Sequence, residues 1–147
     1  MRALEAGAGS AAHWTAEMYA RIFDPNGLMR LALVAEEERR VLGFLVALCA
    51  GPEWELENLV VGLEVRRRGW AKRLLGELLR RALAAGAEAV FLEVRESNRP
   101  ARELYRTAEF VEYGRKRGYY DSPREDGILL SRPLTKPRPW AEISDCR

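Results

Sequence analysis

The chain has 147 residues, of which 48% are hydrophobic and 31% are charged, a composition typical of one folded globular domain. Lysine and arginine number 24 against 22 aspartate and glutamate, and the resulting net charge of +2 argues against a basic coat for nucleic acids. No stretch reaches the roughly 18 apolar residues of a membrane helix, and no export signal opens the chain, so we expect a cytoplasmic protein.

Histidine and cysteine are too scarce for most metal and nucleophile chemistry. The chain has one histidine, His13, and two cysteines, Cys49 and Cys146, which lie far apart. This leaves almost no material for a zinc site or a Ser-His-Asp triad, and it provides no disulfide framework. Any chemistry is therefore expected from carboxylates, tyrosines or a bound cofactor, without a metal.

The first half of the chain predicts one helix and several strands. The helix covers residues 11–23, with Ser10 as its N-cap. Within it, Trp14, Met18 and Ile22 fall on one face because they lie four residues apart. The strands are predicted at 2–6, 28–35, 41–50 and 53–61, and the second and third of them form a hairpin.

The second half predicts two helices between further strands. Leucine and alanine recur at helical spacing over 70–85, and Gly86 ends that helix. A shorter helix over 98–108 has Asn98 as a candidate cap and Pro100 in its first turn. The strands are predicted at 89–94, 110–120 and 128–132, with a turn-rich segment at 121–127.

The order of these elements predicts a fold of the α/β class in the broad sense, in which helices flank a mixed sheet (α+β). The strand–helix–strand run in the middle places neighbouring strands parallel, whereas the hairpins on either side are antiparallel. We therefore expect one domain over residues 1–134, with a largely antiparallel sheet flanked by helices. Residues 135–147 would form a peripheral extension.

The most informative segment is 66–72, which reads RRRGWAK, follows a buried strand and opens the long helix. The N–H groups of a helix's first turn lack internal partners, and Gly69 lets the backbone approach a ligand, so a phosphate or diphosphate is expected there. The segment from Glu64 to Arg81 contains seven basic residues and two acidic ones, which gives it a local net charge of +5. Taken alone, three arginines are also typical of a solvated turn.

This segment resembles the acetyl-CoA loop of the GNAT acetyltransferases. In that pattern an arginine or glutamine is followed by a glycine three positions on and by a glycine or alanine two further, as in Arg66, Gly69 and Ala71. The resemblance runs over roughly 28–134. Its later stretches, namely FLEVRESN at 91–98, the double tyrosine at 119–120 and the Glu-Asp pair at 125–126, are most similar to the RimI-type ribosomal-protein-alanine N-acetyltransferases.

The chain departs from the family pattern in three places, none of which removes a catalytic group. Gly62-Leu63-Glu64 stands where Asp-Pro is usual, Ala71 replaces the second glycine of the loop, and Glu109 stands where the family has a glycine. A glycine there suggests a backbone with positive φ, so we expect either a mildly strained Glu109 in that conformation or a different turn.

The resemblance implies that acetyl-CoA binds where two neighbouring parallel strands, 57–61 and 89–94, splay apart. The residues implied in binding are Leu59, Val60 and Val61 at the pantetheine arm, Arg66, Arg67, Arg68, Gly69, Trp70, Ala71 and Lys72 at the diphosphate, and Asn98 on the other side.

The resemblance also implies that Glu93 is the general base and Tyr105 the general acid of a direct acetyl transfer. Helical spacing places Asn98 and Tyr105 on one face. Each residue also has a purely structural explanation, since Glu93 could be a carboxylate at the end of a strand and Tyr105 an aromatic residue of the core.

Glu57 is the alternative base, and its alternation with Glu53 and Glu55 suggests an acidic wall for a cationic acceptor. By resemblance, Tyr119 and Tyr120 line the acceptor side.

The acceptor implied by the resemblance is a protein N-terminus, in particular the N-terminal alanine of a ribosomal protein. Other acceptors stay open, namely a small amine, an antibiotic or a lysine side chain. Two other classes of protein also remain as alternatives to an enzyme. One is a nucleic-acid-binding module that uses the arginine cluster, and the other is a CoA-binding regulatory subunit. We expect a monomer or weak dimer that contacts neither membranes nor nucleic acids.

Overall fold

The fold is organised around a six-stranded sheet with the strand order β1-β2-β3-β4-β6-β5. The computed structural model describes residues 14–134, so the predicted strand at 2–6 and the extension at 135–147 lie outside the described residues. The elements are α1 (Ala16–Arg21), β1 (Arg30–Glu37), β2 (Arg40–Ala50), β3 (Glu53–Val61), a 3₁₀ turn (Leu63–Val65), α2 (Trp70–Ala84), β4 (Ala89–Arg95), α3 (Arg99–Thr107), β5 (Val111–Asp121) and β6 (Arg124–Pro133).

The pairing of the strands confirms the predicted mixed sheet. Within the described residues β3 and β4 are the parallel pair, and the other four pairings are antiparallel. The parallel register runs from Glu53 opposite Ala89 to Leu56 opposite Leu92 and ends there. Beyond these residues the two strands separate, which opens a cleft between them.

A β-bulge lies at the point where the cleft begins. Leu56 is opposite Ala47 and Asn58 is opposite Val46, so Glu57 is an extra residue in β3. Leu56 packs in the main core, whereas Val60 packs in a second cluster. The bulge thus exchanges the two faces of β3 and re-aims the side chains that follow it.

Two apolar clusters hold the sheet between its helices. The larger one takes the apolar stripe of α2, including Leu75 and Leu78, as the spacing predicts. The smaller one joins Tyr19 of α1 to Phe44 of β2. Because successive residues of a strand point to opposite faces, Phe44 and its neighbour Leu45, which belongs to the larger cluster, place the two clusters on opposite sides of the sheet.

The first helix is shorter than predicted. It begins after Thr15, whose hydroxyl oxygen accepts a hydrogen bond from the Met18 backbone N–H at 3.3 Å. Ser10, the predicted cap, lies outside the described residues. Met18 is exposed, while Tyr19 is the residue of this helix that is buried. No helix within 14–134 is long and apolar enough to span a membrane.

The last hairpin also differs from the prediction. Strand β6 begins at Arg124 rather than at residue 128, because part of the predicted turn-rich segment pairs with β5. Its first residues are charged and do not alternate with apolar ones: Glu125 pairs with Arg95, and Asp126 accepts a hydrogen bond from the Gly118 N–H. This hides the strand pattern in the sequence. Of the two alternatives at Glu109, the structure has the backbone with positive φ, at 64°.

Candidate active site

The cleft between β3 and β4 has a volume of about 570 Å³ and is more apolar than polar in its lining. One wall is the end of β3, and the other includes residues of α3. Of the predicted acceptor side, Tyr120 lines the cleft, whereas Tyr119, Glu53 and Glu55 do not. Of the cofactor-binding and catalytic residues that the sequence predicts, all but Arg68 line it. These are Leu59, Val60, Val61, Arg66, Arg67, Gly69, Trp70, Ala71, Lys72, Glu93, Asn98 and Tyr105. The alternative base Glu57 lines the cleft as well.

Residues 66–72, which we call the loop side of the cleft, present an uncapped helix N-terminus. Gly69 is the N-cap of α2 with φ of 83°, and no side chain caps the helix. Arg67 is also left-handed, with φ of 61°. Loops of this kind turn consecutive N–H groups towards a shared concavity that suits an anion. Arg66, Arg67 and Lys72 add positive charge to the lining, so the loop side fits a diphosphate.

Trp70 and Arg73 stack on each other in the first turn of α2. The Arg73 guanidinium lies 4.8 Å from the centre of the Trp70 ring. Trp70 is half-buried, packs against the main core and lines the cleft. The pairing therefore fixes an aromatic side chain beside the uncapped N-terminus.

Asn98, the N-cap of α3, and Tyr105, within α3, both line the cleft, as their spacing predicts. The Asn98 side-chain oxygen accepts a hydrogen bond from the Ala101 N–H at 3.3 Å and so caps the helix. Tyr105 packs edge-on against Phe110 with ring centres 5.8 Å apart. Burial raises the pKa of the Tyr105 hydroxyl above its ordinary value, so this group keeps its proton at neutral pH.

Glu93 is the centre of what we call the carboxylate side, which also comprises Glu57, Lys116 and Tyr120. Its Oε2 lies 2.7 Å from Lys116 Nζ, and its Oε1 accepts a hydrogen bond from the Tyr120 hydroxyl at 3.2 Å. A Cβ atom on Gly127 would lie 3.1 Å from that same Oε1. Gly127 thus leaves the space that the carboxylate occupies.

A second set of contacts holds Tyr120. The Arg95 guanidinium lies 4.0 Å from the Tyr120 ring centre and forms an ion pair with Glu125 at 2.8 Å. Glu125 also accepts a hydrogen bond from the Ser97 N–H at 2.9 Å. Burial and then the negative charge of Glu93 raise the pKa of the Tyr120 hydroxyl, so it stays protonated and donates to Glu93.

Glu57 has a different environment from Glu93. Both of its carboxylate oxygens accept hydrogen bonds from Arg30, at 2.7 and 3.0 Å, in a bidentate pair. Such a fork fixes a carboxylate more firmly than a single lysine does. Among the described residues no group of three or more metal-ligating side chains occurs.

Several residues of the site were not found from the sequence. Arg30, Lys116 and Gly127 reach it only through the order of the strands, whereas Arg95 lies two residues after Glu93 on β4. Glu125 belongs to the Glu-Asp pair and Arg95 to the FLEVRESN stretch, and both of these carried part of the resemblance, so they were the available signals. No local spacing links the others to the cleft.

Residues 3–110, well over half of the chain, match the Acetyltransferase (GNAT) family. The chain belongs to this family. It is accordingly an N-acetyltransferase, with a single mixed-sheet domain of the GNAT kind. Residues 66–72, which fit a diphosphate, are the segment in which the sequence carries the family's acetyl-CoA pattern.

Known proteins similar to this GNAT chain include enzymes that modify a ribosomal protein. The chain is 29% identical over 124 residues to the [ribosomal protein bS18]-alanine N-acetyltransferase of Haemophilus ducreyi, covering 82% of this chain and 86% of that protein. The crystal structure of the ribosomal-protein-S18-alanine N-acetyltransferase from Escherichia coli matches with a TM-score of 0.80 and 25% identity, over 92% of this chain and 88% of that one.

A more distant structure shares only the fold. An aminoglycoside 6'-N-acetyltransferase complexed with coenzyme A matches with a TM-score of 0.70 and 19% identity, covering 84% of this chain and 81% of that chain. Coenzyme A is thus a ligand of a fold neighbour, and acetyl-CoA is the acetyl donor that fits this family.

Proposed function

We propose that this enzyme transfers the acetyl group of acetyl-CoA to a protein α-amino group, with the N-terminal alanine of a ribosomal protein as its acceptor. The observation that carries the proposal is that Glu93 and Tyr105 line one cleft together with the uncapped N-terminus of α2. The similar bS18-alanine N-acetyltransferases support the choice of acceptor.

Acetyl-CoA would bind along the cleft through groups suited to its parts. The N–H groups of residues 67–72 and the nearby cations suit its diphosphate. The separated end of β3, with Leu59 and Val61, offers unpaired backbone groups and apolar surface to the pantetheine arm. Asn98 lies on the α3 wall, where it would contact the same arm.

Glu93 is proposed as the general base. A protein α-amino group has a pKa of about 7.7–8.0, so at neutral pH most of it must lose a proton before it attacks. Tyr120 orients the Glu93 carboxylate, which lines the cleft and would take the proton directly or through a water molecule. Glu57 is the weaker candidate because Arg30 already occupies both of its oxygens.

Tyr105 is proposed as the general acid. When the amine attacks the thioester carbonyl, the new C–N bond forms, the C–S bond breaks and coenzyme A leaves as a thiolate that needs a proton. The Tyr105 hydroxyl lines the cleft and is protonated at neutral pH, so it can supply that proton. The nitrogen loses a second proton as the amide forms, and this proton restores the Tyr105 hydroxyl. The first proton, taken by Glu93, returns to solvent, and no covalent enzyme intermediate is required.

The test of the acceptor is a rate comparison with acetyl-CoA as donor. We expect coenzyme A thiol to be released faster with a short peptide that begins with alanine than with free aminoglycosides, simple amines or an N-terminally blocked peptide that contains lysine. If thiol is released with the amines alone, the acceptor is a small-molecule amine and not a protein N-terminus. Release with no acceptor at all would point to a CoA-binding protein without transferase activity.

A further inference from the structure

Lys116 makes a contact of the kind that an acceptor amine would make. Its Nζ lies 2.7 Å from Glu93 Oε2, at the carboxylate that the proposed function assigns as general base. An acceptor α-ammonium would have to donate a hydrogen bond to this same carboxylate before it loses its proton. The lysine ammonium and the acceptor ammonium therefore have the same charge, the same donor chemistry and the same partner.

The surroundings of the Lys116 ammonium form a small cation site. Its Nζ lies 4.6 Å from the centre of the Tyr119 ring, within the range of a cation–π contact. The hydrogen bond to Glu93 raises the pKa of Lys116, partial loss of hydration lowers it, and the negative charges of Glu93 and Glu55 add to the rise. Three strands thus contribute groups that favour a positive charge at this point.

The lysine is placed so that it can leave this site. Its side chain is 48% exposed, whereas that of Glu93 is 18% exposed. Lys116 does not line the cleft, while Glu93 does. Released from Glu93, the ammonium would remain hydrated on its flexible stem.

Glu93 would remain oriented after the lysine leaves. The Tyr120 hydroxyl holds the other carboxylate oxygen, Oε1, and Arg95 packs on the Tyr120 ring. The carboxylate therefore does not depend on Lys116 for its direction.

We propose that Lys116 occupies the acceptor's ammonium site in the free enzyme and is an internal competitor that the acceptor must displace. This inference rests on the proposed function, because it takes Glu93 as the group that receives the acceptor amine. It assigns to Lys116 an effect on the KM for the acceptor rather than a part in the chemical step. Any acceptor that enters as an ammonium ion would meet the same competition.

The test is the Lys116→Met variant, assayed with an alanine-initiated peptide at saturating acetyl-CoA. An exposed ion pair is weak, so we expect the KM for the peptide to fall by about twofold to fivefold with kcat nearly unchanged. Lys116→Arg, which keeps the charge, should retain a KM close to that of the parent enzyme. Arg117→Met removes a charge from the next position of β5 and should not lower KM.

Two results would overturn the inference. An unchanged or higher KM in Lys116→Met would show that no competition exists. A fall in kcat at constant KM would instead make Lys116 a positioning residue for Glu93. Failure of the proposed function is recognised separately, because the parent enzyme would then acetylate no peptide; the same three variants are then compared with the small amine that it does accept.

Discussion

The loop side of the cleft is built from seven consecutive residues, whereas the carboxylate side is assembled from three strands. On the loop side the chemistry comes largely from the backbone, through the left-handed Gly69 and the uncapped start of α2. On the carboxylate side it comes from side chains in ion pairs, such as Glu93 with Lys116 and Glu57 with Arg30. Backbone groups can bind a ligand whatever the side chains around them are, while selection of an acceptor depends on side chains.

The largest effect is expected from Tyr105→Phe, which removes the proposed proton donor. We expect kcat to fall by about 100-fold or more, while the KM for acetyl-CoA changes little. Steady-state kinetics with both substrates varied would measure this split. Tyr113→Phe is the matched control, since Tyr113 is exposed on β5 and stacks on Phe91 instead of lining the cleft. Equal turnover in the two variants would remove Tyr105 from the acid role.

A smaller, pH-dependent effect is expected from Glu93→Gln. The base is needed while the acceptor amine is protonated, so kcat/KM should fall by about tenfold at pH 7 and progressively less towards pH 9, where an amine of pKa about 8 is largely neutral. A pH–rate profile measures the trend. Glu57→Gln is the control, and a steeper loss in that variant would transfer the base role to Glu57.

The smallest effect on turnover is expected from Gly69→Ala, which alters only the loop side. A Cβ at Gly69 would meet nothing within 4 Å, but its φ of 83° costs an alanine about 1–2 kcal/mol in the free energy of unfolding. We expect that loss in denaturant unfolding, with a raised KM for acetyl-CoA and an unchanged KM for the peptide. A raised peptide KM would show that the two sides are not independent.

Gly76→Ala is the matched control for that experiment. Gly76 lies within α2, also has open space around it and has no positive φ. Alanine there should stabilise the protein by about 0.5–1 kcal/mol without changing either KM. The opposite signs of the two glycine variants separate backbone conformation from helix propensity.

The difference between the two sides also explains what the sequence could predict. Strand β3 and helix α2 were predicted almost to the residue, because an alternating pattern and a leucine stripe are local signals. Residues 66–72 were found because they are contiguous. Of the partners of Glu93, Tyr120 was indicated by the double tyrosine of the resemblance. Lys116 was not found, since it lies 23 residues away and reaches Glu93 only through the order of the strands.

Two local features escaped prediction for physical reasons. The bulge at Glu57 depends on the register with β2, and a single strand does not reveal its register. The start of β6 is polar because Glu125 pairs with Arg95 instead of packing in the core, so it resembles a turn. In both cases the deciding interaction lies on another strand.

The most direct test of the account uses one peptide with an N-terminal alanine and an internal lysine, incubated with acetyl-CoA and this enzyme and then fragmented in a mass spectrometer. The account predicts one acetyl group, located on the N-terminal fragment, because the α-amino group loses its proton more readily than the lysine, of pKa about 10.4. An acetyl group on the lysine alone, or a peptide that stays unmodified while a small amine is acetylated, would contradict it.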